Sequence, residues 1–361
     1  MLFNLLTSLI DQYSFLNVFK YLTFRTGLSV ITSLIIVFII GSPLIKIFSE
    51  RMITGPIRQD GPIDHIIKKS GTPTMGGVII IIGIILSTIL WADLSNIYIW
   101  TLIFVSLSLG CLGLIDDILK IKLKNSRGLK SRYKFLGQLV ISIITLFILV
   151  KISDHNYIYD LYFPFFKNYI WHMGLFFIPF GLFVIIGASN AVNLTDGLDG
   201  LATVPVMLVA LSFTLISYVV GNTIFSEYLQ IQYIENVGEL SIFCGAIVGS
   251  CLGFLWYNAP PAKIFMGDTG SLSLGGSLAA IAIIVKHEIV LAIIGGLFVL
   301  ETASVIIQVI SFKLTGKRIF KMAPIHHHYE KKGWAESTIV IRFWIIAIIL
   351  ALVGLATLKL R

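Results

Sequence analysis

The sequence predicts an all-α polytopic membrane protein of about ten transmembrane helices, and three observations support this fold class. Of the 361 residues, 57% are hydrophobic and 13% are charged, and the mean hydropathy is +0.92, which excludes an ordinary soluble globule. Apolar runs of roughly 16–24 residues recur along the chain, and about 20 residues cross a bilayer as a helix. The runs also lack the alternating pattern of a membrane barrel, and open sheet edges cannot face lipid.

We interpret ten apolar runs as spans of one integral membrane domain covering residues 1–361. The runs are 27–48, 76–92, 97–115, 135–150, 170–188, 201–220, 240–257, 270–285, 289–312 and 339–358. Two of them, 135–150 and 270–285, are short and need flanking residues to cross the bilayer.

Basic residues predict the orientation of these spans. They concentrate in the connections after spans one, three and nine, which include Lys68 and Lys69, the stretch from Lys120 to Lys134, and Lys313 to Lys332. The positive-inside rule places these connections in the cytoplasm and both termini outside. Arg25 would then lie on the outer side, against the trend.

Five carboxylates occupy compact polar motifs at span ends that this topology places on the cytoplasmic side. The motifs are GLIDDILK, NAVNLTDGLDG and FMGDTGS, and the acids are Asp116, Asp117, Asp196, Asp199 and Asp268. Carboxylates held against a bilayer are costly unless they bind a cation or take part in chemistry. Their convergence on one face indicates a divalent metal and an anionic, phosphate-bearing substrate.

Each motif also has a simpler structural interpretation. Asp116 and Asp117 point about 100° apart on a helix, so both reach one ligand only if the helix frays; otherwise they end a span and pair with Lys120 or Lys122. Asp268 fits an N-cap as well as a metal ligand. The NAVNLTDGLDG segment fits either a capping loop or a ligand-binding loop.

Two further motifs follow in the chain. Phe265 precedes Asp268 and could stack on a planar base or simply pack. His326, His327 and His328 lie in a basic loop, and their spacing fits no zinc motif, so they are expected to donate hydrogen bonds to phosphate or to form a turn. Glu301 lies within the ninth span and requires a polar partner there, for which a structural hydrogen bond is the favoured role.

Together, GTPTMGG, the Asp116/Asp117 pair, NAVNLTDGLDG, FMGD and PIHHHYEKKGW resemble the polyprenyl-phosphate N-acetylhexosamine-1-phosphate transferase superfamily over essentially the whole chain. GTPTMGG and PIHHHYE are similar to its bacterial phospho-muramoyl-pentapeptide branch. The segment HIIKKSG is one residue longer than that family's H-x-x-K-x-G. The family's substrate-binding lysine therefore corresponds to either Lys68 or Lys69.

The resemblance implies transfer of phospho-MurNAc-pentapeptide from its UDP carrier to undecaprenyl phosphate, which gives UMP and lipid I, at a cytoplasmic-facing site in the bacterial inner membrane. It implies Mg²⁺ bound by Asp268 with Asp117 nearby, and catalytic roles for Asp116, Lys134, His326 and His327. The substrate-binding residues it implies are Asn190, Asn193, Asp196, Asp199, Asn258, Phe265, His328 and Lys68 or Lys69.

The resemblance also implies a homodimer in the lipid bilayer, and no nucleic-acid partner is expected. A related alternative takes UDP-N-acetylglucosamine as the donor, although GTPTMGG and PIHHHYE disfavour it. From another class, an ion-coupled transporter would use intramembrane acids, but transporters place these near the bilayer midplane in repeated halves. Here the acids cluster at one face and the sequence shows no repeat.

Overall fold

Fourteen α-helices account for most of the chain in the computed structural model, which describes residues 2–55, 71–123, 128–153, 156–166 and 169–360. They are α1 (Leu2–Ser8), α2 (Leu22–Glu50), α3 (Gly77–Trp91), α4 (Ile97–Leu123), α5 (Ser131–Ile152), α6 (Phe177–Thr195), α7 (Thr203–Val220), α8 (Thr223–Leu229), α9 (Leu240–Asn258), α10 (Gly267–Ile284), α11 (Glu288–Ile294), α12 (Gly296–Thr315), α13 (Ile325–Glu330) and α14 (Glu336–Leu360).

The all-α membrane architecture predicted from hydropathy is confirmed. Within the described residues, nine helices are long and apolar enough to cross a membrane. The predicted run 76–92 forms the shorter apolar helix α3, of 15 residues. The predicted run 289–312 is divided at Gly295 into α11 and α12, so its first two turns and its remainder are separate helices.

One connection outside the spans adds a short pair of strands to the helices. Between α5 and α6, strand β1 (Asp160–Tyr162) pairs antiparallel with β2 (Ile170–His172), with Leu161 opposite Trp171. Aromatic and branched side chains favour such a pair. The hairpin lies outside the spans, where water can hydrogen-bond its edges, so the rule against sheets in lipid does not apply to it.

The centre of the bundle is formed by α9 and α10, which are the most buried of the spans described. Their small residues permit this, because glycine, serine and alanine let neighbouring backbones approach closely. A Cβ on Gly77 of α3 would lie 2.0 Å from the backbone nitrogen of Gly270 in α10. The first turn of α10, which carries Asp268, is thus packed directly against α3.

Buried ion pairs lie at the end of the bundle away from Asp116, Asp117 and Asp268, which we call the outer end. Arg25 of α2 is 4% exposed and binds Glu239 through two guanidinium nitrogens, at 2.6 and 2.8 Å. Lys286 donates to Glu288 at 2.9 Å, to the Ile158 carbonyl at 3.0 Å, and lies over the Phe177 ring. The position of Arg25 against the charge bias therefore has a structural reason, because the residue is a buried partner of a carboxylate.

Candidate active site

Three carboxylates meet where α4 and α10 approach each other. Asp116, Asp117 and Asp268 can each place one oxygen within 4.8 Å of the others. The helix is intact through this region, since α4 continues to Leu123. The expectations that α4 would end or fray at the Asp pair are therefore wrong, because the two side chains reach the same site from an unbroken helix.

Asp117 accepts hydrogen bonds from the first turn of α10. Its Oδ1 accepts from the Asp268 amide at 3.2 Å, and its Oδ2 accepts from the amide and hydroxyl of Thr269 at 3.0 and 2.8 Å. The first amides of a helix lack partners within the helix and favour an anion nearby. Asp117 thus caps α10 from another helix and fixes the backbone beneath Asp268.

Gly267 makes this arrangement possible. Its φ is +73°, and a Cβ there would lie 2.6 Å from the Asp117 carboxylate. A glycine accepts that backbone conformation without strain. Asp268 itself lies in the first turn of α10 and makes no cap, because the residue before the helix is Met266. The N-cap interpretation of Asp268 is therefore wrong, and its side chain is directed at other groups.

Two lysines neutralise part of the cluster. Lys120, one turn beyond the Asp pair on α4, lies 2.7 Å from Asp116, 2.9 Å from Asp268 and 3.7 Å from Asp117. Lys134 of α5 contacts Asp268 at 2.5 Å and lies 3.7 Å from Asp116. The cluster therefore holds one more carboxylate than lysine, an excess of negative charge that a cation would balance.

Asp116 has a second partner in the connection between α4 and α5. Its Oδ1 accepts from the Leu129 amide at 2.6 Å, and its Oδ2 faces Lys120 and Lys134. Asp116 is 2% exposed. It therefore holds the residues just before α5 against α4 while keeping one oxygen toward the lysines and Asp268.

The predicted asparagines divide into two groups. Asn193 donates to Asp268 at 2.9 Å and to the Ser271 hydroxyl at 2.8 Å, so it belongs to the cluster. Asn190, one turn earlier, instead donates to Gln138 at 3.0 Å and to the Ile186 carbonyl. The structure thus joins Asn193 to the carboxylates and places Asn190 in an adjoining polar contact between α5 and α6.

A loop that follows α6, residues 196–200, brings two more carboxylates to this end of the bundle. Burial and, to a smaller extent, the neighbouring Asp268, Asp117 and Asp199 carboxylates together raise the pKa of Asp196 to about 7. Asp199 is 6% exposed and accepts from the Ala262 amide at 2.9 Å. Asp196 therefore interacts electrostatically with the carboxylate cluster. Asp199 instead holds the loop to the segment after α9 through a hydrogen bond.

Asn258 serves the same loop from the end of α9. Its Oδ1 accepts from the Gly200 amide and the Thr203 hydroxyl at 3.0 and 2.9 Å, and its Nδ2 donates to the Ile264 carbonyl at 3.0 Å. It is 2% exposed. Both polar atoms are thus engaged within the protein, and the structure gives Asn258 a role in holding the loop.

The predicted GTPTMGG segment contacts the FMGD segment through its backbone. Phe265 donates its amide to the Pro73 carbonyl at 2.9 Å and accepts from the Gly76 amide at 2.8 Å, and the Gly77 amide donates to the Met266 carbonyl. Two motifs about 190 residues apart in sequence therefore form one backbone-paired unit beside the cluster. Lys68 and Lys69 precede this unit and lie outside the described residues.

The three histidines lie on the short helix α13 and point in different directions. His326 is fully buried, 3.1 Å from Glu301. His327 lies 2.6 Å from Glu330 on its own helix. His328 accepts from the Lys321 amide at 3.0 Å. Burial and the nearby Lys332 and Lys321 lower the pKa of His328, so it offers a neutral imidazole.

The sequence alone predicts Lys120 as an orientation signal or a simple pairing partner, and not as a residue that contacts all three carboxylates. The spacing was informative, because residues three and four positions apart share a helix face, and Lys120 follows Asp117 and Asp116 at those intervals. Thr269 and Gln138 were missed entirely. Hydrogen bonds between residues 152 and 52 positions apart leave no periodic signal in the sequence.

The comparisons with known proteins agree with this geometry. Residues 99–286 match the model of glycosyl transferase family 4, and residues 69–81 match signature 1 of phospho-N-acetylmuramoyl-pentapeptide-transferase. Proteins of that name in Pelagibacter ubique, Rickettsia prowazekii and Maricaulis maris are 67%, 57% and 53% identical, and each match covers all of both chains. The chain belongs to the phospho-N-acetylmuramoyl-pentapeptide-transferase family, within glycosyl transferase family 4.

Proposed function

We propose that this protein transfers phospho-MurNAc-pentapeptide from UDP-MurNAc-pentapeptide to undecaprenyl phosphate and releases UMP. The observation that carries the proposal is the Asp116, Asp117 and Asp268 cluster with Lys120 and Lys134, in a chain whose full-length relatives bear this enzyme's name. Because the cluster lies at the ends of membrane helices, it can meet a lipid-borne acceptor and a water-soluble nucleotide donor together.

The reaction is a displacement at phosphorus. A phosphate oxygen of undecaprenyl phosphate forms a bond to the sugar-bearing phosphorus of the donor, and the bond from that phosphorus to the bridging oxygen breaks, with UMP as the leaving group. A phosphate monoester has its second pKa near 6 and is largely ionised at neutral pH. Catalysis therefore consists mainly of alignment and charge neutralisation.

The residues of the cluster fit Mg²⁺, which prefers oxygen ligands supplied by one or two carboxylates. Asp268 is the best-placed ligand, since Asp117 holds its backbone amide and its oxygens already attract two ammonium groups, Lys120 and Lys134, which would turn away where Mg²⁺ binds. Asp117 lies beside it with both oxygens engaged by α10. Bound Mg²⁺ would supply neutralisation of the phosphate charges.

The remaining side chains hold and orient the reactants. Lys120 and Lys134 offer ammonium groups that can turn from the carboxylates toward the phosphates when substrates bind. Asp116 keeps one oxygen at the cluster and aligns the acceptor phosphate. Asn193 fixes Asp268 by a hydrogen bond. The loop 196–200, the unit around Phe265 and the histidines border the region where the uridine and sugar would bind. The family resemblance adds Lys68 or Lys69 as a substrate-binding residue.

An assay of UMP release with purified protein tests the proposal. With Mg²⁺ and undecaprenyl phosphate, UDP-MurNAc-pentapeptide should yield UMP and a lipid-linked product, whereas UDP-N-acetylglucosamine should not. No membrane gradient is needed, which separates the enzyme from an ion-coupled transporter. In a direct displacement, enzyme stripped of lipid phosphate should release no UMP. Stoichiometric release without the acceptor, lost in Asp116→Asn, would instead indicate a phospho-aspartyl intermediate.

The proposed location is the bacterial inner membrane, with the active site facing the cytoplasm, and the basic connections support it. Single cysteines test the orientation in a variant in which Cys111, Cys244 and Cys251 are replaced. Lys321→Cys should react with an impermeant thiol reagent only after the cytoplasmic face is opened, and Glu227→Cys should react from outside. Both side chains are exposed. The reverse labelling pattern would contradict the topology.

We further propose a homodimer, on the family resemblance alone. Many large apolar side chains on the spans are exposed, including Ile349 and Leu352 of α14, and these surfaces are available to lipid or to a second copy. Native mass spectrometry of the detergent-solubilised protein should give twice the 40.0 kDa chain mass. A single-chain mass across the concentrations at which activity is full would exclude the dimer.

A further inference from the structure

Glu301 and His326 form a buried polar pair that the proposed reaction does not yet use. Glu301 lies on α12 within a membrane-spanning helix, His326 lies on α13, and both side chains are fully buried. The imidazole Nδ1 is 3.1 Å from the Glu301 Oε2, which is an ion-pair distance, although the two atoms are not aligned as a hydrogen bond. A carboxylate buried in this way is strongly destabilised without a partner, and among the described residues His326 is the polar side chain that approaches it.

The opposite side of the imidazole faces the loop 196–200. A Cβ on Gly197 would lie 2.3 Å from the Nε2 of His326 and 2.9 Å from its Cε1. Only glycine therefore allows the ring to sit this close. The ring thus lies directly against the loop backbone between Asp196 and Asp199, with Glu301 on one side and Gly197 on the other.

An apolar cluster holds the same elements together. Leu198 and Leu201 from the loop pack with Leu297, one turn before Glu301 on α12, and with Ile339 and Phe343 of α14. Ile325, the neighbour of His326, packs against this cluster. The apolar cluster fixes where α12, α13 and the loop lie. Non-directional packing, however, does not set the rotation of an imidazole ring. The Glu301 carboxylate, 3.1 Å from Nδ1, is the polar group close enough to act on that rotation among the residues described.

We propose that Glu301 is a positioning residue for the nucleotide-sugar donor. It holds Nδ1 of His326, and the oriented imidazole in turn supports the loop that carries Asp196 and Asp199. A carboxylate that fixes one ring nitrogen of a histidine determines which nitrogen carries the proton and how the other faces its surroundings. The proposal rests on the proposed function, since it assigns the loop 196–200 to the donor.

Glu301→Gln tests the proposal because it removes the charge and keeps the shape. Its kcat/KM for UDP-MurNAc-pentapeptide should fall at least ~10-fold, or ~1.4 kcal/mol, mainly through a higher donor KM. The KM for undecaprenyl phosphate should stay within about threefold. A purely structural role would lower the amount of folded enzyme without separating the two KM values, and equal changes in both would overturn the proposal.

Glu288→Gln is the matched control. Glu288 is also a buried glutamate with a cationic partner, Lys286, but it lies at the outer end of the bundle. Its variant should keep both KM values within about twofold of wild type per folded molecule. If this control reproduced the donor-selective effect, the effect would reflect loss of any buried charge, and the role of Glu301 would be rejected.

A double-mutant cycle tests whether Glu301 acts through His326. In the His326→Asn background, Glu301→Gln should have little further effect on the donor KM, because the group it positions is already gone. Fully additive effects would contradict the proposal. If Glu301→Gln fails to fold, Gly197→Ala takes its place, since the added Cβ displaces Nε2, and an unchanged donor KM in that variant would also overturn it.

The activity of the wild-type protein distinguishes a failure of the positioning role from a failure of the proposed function. Wild-type protein that consumes no UDP-MurNAc-pentapeptide would contradict the transferase, whatever the variants do. Wild-type protein that is active, together with a Glu301→Gln variant whose donor KM is unchanged, would contradict only the positioning role.

Discussion

The two ends of the helix bundle differ in whether their buried acids and bases are equal in number. At the outer end, Arg25 is matched by Glu239 and Lys286 by Glu288. At the other end, three carboxylates share Lys120 and Lys134, and Asp196 and Asp199 lie in the adjacent loop. Both ends contain acids and bases in a low-dielectric setting, but among the residues that the structure describes the unbalanced set lies at the end that holds Asp268.

The difference indicates where function lies. A matched buried pair joins two segments and needs nothing more, whereas an excess of carboxylates costs free energy unless a cation or a reaction uses it. Beyond their partner carboxylates, Arg25 and Lys286 each donate a hydrogen bond to one backbone carbonyl. In the carboxylate cluster, each lysine reaches at least two acids, so one lysine can turn to a substrate while the other stays.

Asp268→Asn should have the largest effect on turnover. Loss of a metal ligand removes several kcal/mol of transition-state stabilisation, so we expect the rate of UMP release to fall at least ~100-fold. Asp160→Asn is the matched control, because Asp160 has the same 13% side-chain exposure and pairs with His172 at 2.7 Å in the β1–β2 hairpin. Near-normal turnover of Asp268→Asn at limiting Mg²⁺ would show that another group binds the metal.

Asp117→Asn should lower both turnover and stability. An amide can accept through one oxygen only, so the α10 amides and the Thr269 hydroxyl lose part of their acceptor. We expect a loss of about 1–3 kcal/mol in the free energy of unfolding, and turnover ~10-fold to 100-fold lower as Asp268 shifts. Thermal unfolding and UMP release are measured on one preparation. Reduced turnover with unchanged stability would make Asp117 a ligand instead of a cap.

Arg25→Met should lower stability and leave the chemistry intact. The change leaves the partly buried Glu239 without its guanidinium partner, which costs about 1–3 kcal/mol, and Glu239→Gln in the same chain should restore part of that loss. Turnover per folded molecule should remain within about twofold, since the pair lies at the outer end. A large fall in turnover of the folded fraction would show that the two ends are coupled, contrary to the division drawn here.

Asp196→Asn should have the smallest effect, seen in the pH dependence of stability. Burial raises the pKa of Asp196 to about 7 from 3.8. The folded state therefore binds more protons than the unfolded state between these values, and stability falls as pH rises through this window. The variant should lose less stability than wild type between pH 5 and 7.5, without Mg²⁺. An identical pH slope in both proteins would mean that Asp196 is ionised throughout.

The polar motifs show which parts of the site a sequence can reveal. Asp268 and Lys134 were both predicted at the active site, and the structure brings them into direct contact. The HHH segment is predicted either to donate hydrogen bonds to phosphate or to form a turn, and in the structure its three members have different protein partners. Consecutive helical residues point about 100° apart, but adjacency alone does not decide whether they share a target, because Asp116 and Asp117 both approach Asp268 from one unbroken helix.

The sequence by itself determined the membrane class, the approximate spans and the grouping of polar motifs at span ends, because hydropathy and charge bias are properties of short segments. Only the tertiary structure decided that Asp117 caps α10, that Lys120 bridges all three carboxylates, and that Glu301 meets His326. These contacts join helices that are distant in sequence. Their existence depends on how close small residues such as Gly77 and Gly197 allow backbones and side chains to approach, which no local pattern encodes.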